Sequence, residues 1–118
     1  MKKITTENDV KALAKAWYED HDGWSYAPIQ NGLGVHGIHD RVGLVPMLIT
    51  PEMVGRRVGV FVSIECKKPG RRNEPRRGMT QHQQNMMDAV HEARGRSIVC
   101  DGPEDLAGLE PAAPWLRE

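Results

Sequence analysis

What the sequence lacks narrows its reading first. No long apolar run interrupts the 118 residues, and the opening MKKITTENDV sets two lysines ahead of polar residues rather than a hydrophobic stretch. Neither a secretory leader nor a membrane span is expected, and the expected setting is the cytoplasm. Cysteine is scarce: Cys66 and Cys100 lie far apart and form no Cys-x-x-Cys pair. A disulfide framework is therefore not expected, and both thiols are read as small buried apolar groups in a reducing compartment. Internal repeats and low-complexity tracts are absent as well. Net charge is also missing, since 16 basic residues balance 16 acidic ones. Taken alone, that balance speaks against a nucleic-acid partner.

The distribution of charge says otherwise. Arg56, Arg57, Lys67, Lys68, Arg71, Arg72, Arg76 and Arg77 fall in one stretch opposed only by Glu65 and Glu74, while acids gather toward both ends. A neutral total thus hides one strongly positive segment. Hydrophobic residues make up 39% and charged residues 27%, ordinary for a globular chain. The length suits a single domain over 1–118, with a core over about 5–106 and a tail over 107–118. A core of that size is modest, which makes self-association plausible.

Hydrophobic spacing sketches the elements. Thr6-x-x-Asp9 has the form of a capping box, followed by Val10, Leu13, Ala14 and Trp17 at helical spacing and by Gly23 as a stop. Trp24–Ala27 suggests a short strand, and Asn31, Gly32, Gly34 and Gly37 signal turns. Val42–Ile49 is apolar enough for a strand that Pro46 confines to an edge or breaks. A turn over Pro51–Arg57 leads into the best strand, Val58–Cys66. After the polar loop Pro69–Gly78, Thr80 caps a helix carrying Met86, Met87, Val90 and Ala93, and Ser97–Cys100 is a last strand. From Gly102 onward turn residues prevail, with Pro114 and Trp115 standing out. The order helix, strands, helix, strand predicts an α/β fold with a mixed central sheet flanked by helices.

Chemistry concentrates at Glu65-Cys66-Lys67. On a strand, Glu65 and Lys67 share one face while Cys66 points away. A carboxylate and an ammonium leaving a buried strand together need either a mutual ion pair or a function. Asp40, just ahead of the preceding strand, would be returned beside Glu65 by a strand–turn–strand path. Two carboxylates brought together call for a cation between them, and hard oxygen ligands suit Mg²⁺ or Mn²⁺. Lys67 would then orient water and offset charge growing on a phosphate. The alternative for Asp40 is a turn aspartate after glycine.

Other candidates are placed by spacing. Gln83 leads the apolar helix face of Met86, Met87 and Val90, and Glu7 leads that of Val10, Ala14 and Trp17. Glu7 equally suits the helix dipole in a first turn. His36, His39 and Asp40 suggest a metal set, but no further His or Cys completes a zinc site at suitable spacing. His82 adjoins Gln83 and fits either the site or solvent. Lys68, Arg71, Arg72, Arg76 and Arg77 form a basic loop leading directly away from Glu65 and Lys67. Guanidinium forks suit phosphate oxygens, so the loop is expected to clamp a DNA backbone. No aromatic side chains are interleaved with it, which argues against base stacking.

Gly37 and Asp40, an apolar strand ending in Glu65 and Lys67, and a helix opening with Thr80 and Gln83 together resemble the PD-(D/E)XK nuclease superfamily, and more closely its VRR-Nuc branch, the virus-type replication-repair nucleases. Glu7 matches an early helical glutamate, and the likeness runs from about Glu7 to Cys100. Ala93-Arg94-Gly95 departs from it where relatives often carry two glycines after the alanine. The resemblance implies a restriction-endonuclease-like core and Mg²⁺- or Mn²⁺-dependent hydrolysis of DNA. Asp40 and Glu65 would bind metal, helped by the Cys66 backbone carbonyl and by Glu7 as an extra ligand; Gln83 would support the site. Stand-alone members of the branch, often from phages, tend to be homodimers acting on branched DNA such as four-way junctions. A flap or general duplex endonuclease is the alternative within the class. A non-catalytic DNA-binding module and a structural phage protein are alternatives outside it.

Overall fold

The computed structural model describes residues 3–29, 37 and 39–109. Asn31, Gly32, Gly34, His36, Pro114 and Trp115 lie outside the described residues. The fold is mixed α/β, and the chain divides into two compact units, 1–54 and 55–118. Among the described residues, no helix is long and apolar enough to cross a membrane.

In the first unit, helix α1 spans Glu7–Asp20 and is closed at both ends by its own sequence. The Thr6 hydroxyl accepts from the Asp9 N–H at 3.1 Å, and the Asp9 carboxylate accepts from the Thr6 N–H at 3.0 Å. That reciprocal box satisfies donors that the first turn leaves over. At the other end, Asp22 takes φ +58°, and the Gly23 N–H reaches back to the Tyr18 carbonyl at 2.8 Å. Aspartate is among the few side chains that tolerate this conformation. The helix then runs into β1 (Trp24–Tyr26), paired antiparallel with β2 (Val42–Leu44) in the register Ser25↔Gly43. A Cβ at Gly43 would collide with the backbone of Trp24 and Ser25, so this crossing requires glycine. Strand β2 stops at Leu44, two residues ahead of Pro46, whose ring cannot continue a ladder. Val10, Leu13 and Trp17, the apolar face marked by helical spacing, are each about half exposed, since the hairpin of two three-residue strands is too small to cover a 14-residue helix.

A single 3₁₀ turn, Pro51–Met53, closes the first unit. The second unit is a β–α–β arrangement. Strand β3 (Val62–Cys66) runs parallel to β4 (Arg96–Cys100), with α2 (Gln81–Glu92) as the connection and a short α3 (Pro103–Ala107) after β4. The expected strand from Val58 is shortened to Val62 because β4 offers only five residues to pair with. The expected order of helix, strands, helix and strand holds, but the described strands form two separate two-stranded sheets, one antiparallel and one parallel. Met79, Val90, Ala93 and Val99 form the core of this unit, where α2 lies on one face of the β3–β4 pair. Helix α3 was hidden in a run of turn residues; its signals are Pro103 at the first position and Glu104 and Asp105 in the first turn.

Helix α2 ends in a Schellman motif. The Gly95 N–H bonds the Val90 carbonyl at 2.9 Å, and the Arg94 N–H bonds that of His91 at 3.0 Å. Arg94 therefore adopts φ +75° at the position where helices favour glycine. A left-handed non-glycine residue costs about 1–2 kcal/mol, partly offset when glycine loosens the unfolded chain. Arg94→Gly is expected to stabilise the protein by about 1 kcal/mol, read as a higher urea midpoint at unchanged slope.

Candidate functional site

Alternation along β3 sorts its residues to two faces. Ser63 and Glu65 turn inward toward α2, and Val62, Ile64 and Cys66 turn outward. Lys67 continues the inward series one residue past the strand, held there by its N–H bonding the Cys100 carbonyl at 2.9 Å. The two expected residues thus leave the same face of one strand, side by side.

Lys67 and Glu65 are not locked together. The ammonium lies 3.7 Å from the Glu65 carboxylate, but donates a hydrogen bond to Gln83 Oε1 at 3.1 Å. That amide oxygen also accepts from the Thr80 N–H at 2.9 Å, while the Thr80 hydroxyl accepts from the Gln83 N–H at 3.2 Å. Gln83 is consequently both half of the box that starts α2 and the partner of the lysine. Its rotamer is fixed by the helix cap, and the cap fixes where the ammonium sits. Only 15% of the Lys67 side chain is exposed, against 34% for Glu65. Among the described residues, Glu65 has no hydrogen-bond donor, so its oxygens remain open to a hard cation. Glu65, Gln83, Met79, Met86 and Met87 line a pocket of about 60 Å³ together with Ser63 and Ser97. There the Ser63 hydroxyl donates to the Ser97 hydroxyl across the strands at 2.7 Å. Sequence reasoning missed this pair, because neither serine has a local signature.

The basic loop is more structured than its composition suggests. It folds into a short 3₁₀ turn, Arg71–Asn73, followed by a tight turn over Pro75–Gly78. Arg76 and Arg77 take φ +54° and +53°, and Gly78 takes +84°, giving three left-handed residues in succession. Most of the guanidinium groups have protein partners. Arg72 forms an ion pair with Asp101, whose side chain is only 1% exposed, and reaches Asp105 at 3.2 Å. Arg77 reaches the other Asp105 oxygen at 3.1 Å. Arg71 pairs with Glu74, and Arg76 Nε donates to the Met79 carbonyl at 3.1 Å. Among the described residues, no acid pairs with Lys68 or Arg76. Asp101 and Asp105 were not singled out from sequence; an acid closing a strand just before Gly-Pro was the available signal.

Asp40 and Glu7 belong to the first unit. Asp40 is an exposed residue in the bend before β2, preceded by the exposed His39. Glu7 is the first residue of α1 and is exposed. His82, in the first turn of α2, is also exposed. Cys66, expected to be buried, is exposed, and Cys100 is partly so, because both sit on the outer sheet face. Among the described residues, no group of three or more His, Cys, Asp or Glu side chains is placed to hold a metal. Comparison with protein families, with curated proteins and with solved structures finds no match.

Asp101 carries the clearest electrostatic signature. The Arg72 guanidinium bonded to its carboxylate, aided by the Arg72 backbone N–H and charge, outweighs burial and lowers its pKa from the ordinary 3.8 to about 2. A carboxyl whose pKa is lower in the folded state gives stability that is complete above about pH 4 and lost as pH falls through about 2. Asp101→Asn should lower the melting temperature at pH 7. Between pH 4 and 2 the variant should also lose less stability than the parent. Parallel melting curves for the two proteins across that window would contradict the assignment.

Proposed function

We propose that this protein is a metal-dependent DNA nuclease with a restriction-endonuclease-like core, acting as a homodimer on branched DNA such as four-way junctions. The observation that carries the reading is the Lys67 ammonium set between the Glu65 carboxylate and the Gln83 amide oxygen, two groups that also line one pocket, with the basic loop following Lys67 in the chain. Glu65 and Lys67 from one strand end and Gln83 from a helix start 16 residues on, singled out from sequence for their chemistry, lie together.

Glu65 offers a carboxylate that no described donor occupies, the ligand type a hard cation takes, and the resemblance adds Asp40, the Cys66 carbonyl and Glu7 as further oxygen ligands. Such an ion, when bound, supplies Lewis-acid stabilisation of a phosphoryl group and an acidified water. Lys67 orients the attacking water and offsets charge that grows on the phosphate oxygens. Gln83 keeps the ammonium in place through a neutral acceptor. Branched DNA is favoured over sequence recognition because the basic loop offers backbone contacts and no base-reading helix. The homodimer and the junction substrate rest on the VRR-Nuc resemblance, and two-fold symmetry would supply one site for each of two strands.

Linear, flapped and four-way DNA, incubated with and without Mg²⁺, provide the test. Paired nicks in the junction are expected only with metal, from a species of twice the chain mass. Asp40→Ala and Glu65→Ala should abolish cleavage with the fold intact, and Lys67→Ala should slow it on the order of 100-fold or more. Full activity in either carboxylate variant would remove the proposed site. A monomer that cuts linear duplex equally well would leave a nuclease of another specificity.

Charge pairing in the loop sets a second expectation. Asp101 and Asp105 offset Arg72 and Arg77, and Glu74 offsets Arg71, which leaves Lys68 and Arg76 as the cations most available to phosphate. Each phosphate neutralised adds about 0.9 to the slope of log affinity against log salt. Replacing Lys68 and Arg76 by serine should flatten that slope by about 2, whereas Arg72→Ser should act mainly on stability.

A further inference from the structure

Cys66 and Cys100 are distant in sequence but directly opposite in the β3–β4 register. Register partners project to the same side of a sheet. Here it is the outer side, where Val62 and Ile64 are also exposed. Neighbouring strands run about 4.8 Å apart, within the separation of roughly 4.4–6.8 Å between Cα atoms that a disulfide bridges. The Cβ atoms of a disulfide lie closer, at about 3.8 Å. This pair is the last of the five rungs, so it can draw together without shearing the others. Cys66 is exposed and Cys100 partly exposed, which gives a small oxidant access to the first thiol and the second thiol access to the product. Cys100 Sγ donates only a weak 3.4 Å bond to the Gly102 carbonyl, which rotation about Cα–Cβ releases.

We propose that Cys66 and Cys100 form a redox-active dithiol that closes to an intramolecular disulfide, with a low-molecular-weight disulfide such as glutathione disulfide as oxidant. The Cys66 thiolate attacks one sulfur of the oxidant, forming a mixed disulfide and expelling one glutathione thiolate. The Cys100 thiolate then attacks Cys66 Sγ, breaking the mixed disulfide and expelling the second glutathione. Two protein thiols are oxidised, one disulfide is reduced to two thiols, and the protons pass to the departing thiolates. The closed bond ties the end of β3, where Glu65 and Lys67 emerge, to the end of β4, where Asp101 begins. The pairing is independent of the nuclease reading and stands or fails without it.

The reduced full-length chain and its Cys66→Ser and Cys100→Ser variants are incubated with glutathione disulfide, then denatured for thiol counting and non-reducing mass measurement. In the parent, both thiols should disappear with no glutathione retained, at the mass of a single chain less two hydrogens, and dithiothreitol should restore them. Each variant should stop at a stable one-glutathione adduct. A parent that keeps two glutathiones, cross-links to a second chain, or retains free thiols while the variants are modified overturns the proposal. Absence of modification in all three proteins overturns it too, since it would show that the thiols are inaccessible.

Discussion

The five-rung parallel register of β3 with β4 governs the second unit. A two-stranded parallel pair has little stability of its own and survives only when a helix covers one face. Helix α2 does so, and Val90 and Val99 are buried almost completely where it packs. Once that face is taken, alternation leaves no freedom: Ser63, Glu65 and Lys67 belong to the covered side, and Cys66 and Cys100 to the open one. A slip of one residue would exchange the two sets. The chemistry of the pocket and the chemistry of the thiols are therefore two consequences of one pairing.

The basic loop depends on the same register at the C-terminal end of the pair. Asp101 follows β4 directly, with its carboxylate almost fully covered and bonded to the side chain and backbone N–H of Arg72. Its own N–H donates to Asp105 at 3.1 Å, which ties the start of α3 into the cluster. A covered carboxylate is tolerable only with such partners. What looks in sequence like five cations aimed at a ligand is in part a scaffold in which acids from α3 and the end of β4 hold the loop.

Local rules made much of this legible, and non-local pairing made the rest opaque. Thr6 with Asp9 and Thr80 with Gln83 were readable because a capping box spans only three residues. The shared face of Glu65 and Lys67 followed from strand alternation, and the position of Gln83 from helical spacing. By contrast, nothing near Cys66 announces Cys100, and nothing near Arg72 announces Asp101. The exposure of Val10, Leu13 and Trp17 was also hidden, since periodicity marks an apolar face without stating how much of the fold is available to cover it. The three left-handed residues Arg76–Gly78 had one sequence cue, the glycine, because arginine is a poor predictor of that conformation.

The oxygen that Gln83 shares between the Thr80 N–H and the Lys67 ammonium couples two events usually treated as separate. First turns are where helices fray, in brief openings far smaller than global unfolding. Here each opening of the first turn of α2 also releases the ammonium beside Glu65. The organised state of the pocket can then be no more populated than the closed state of that turn. Amide protons at the start of α2 would exchange with solvent in step with the disassembly of the pocket, turning a helix end into a clock for the site.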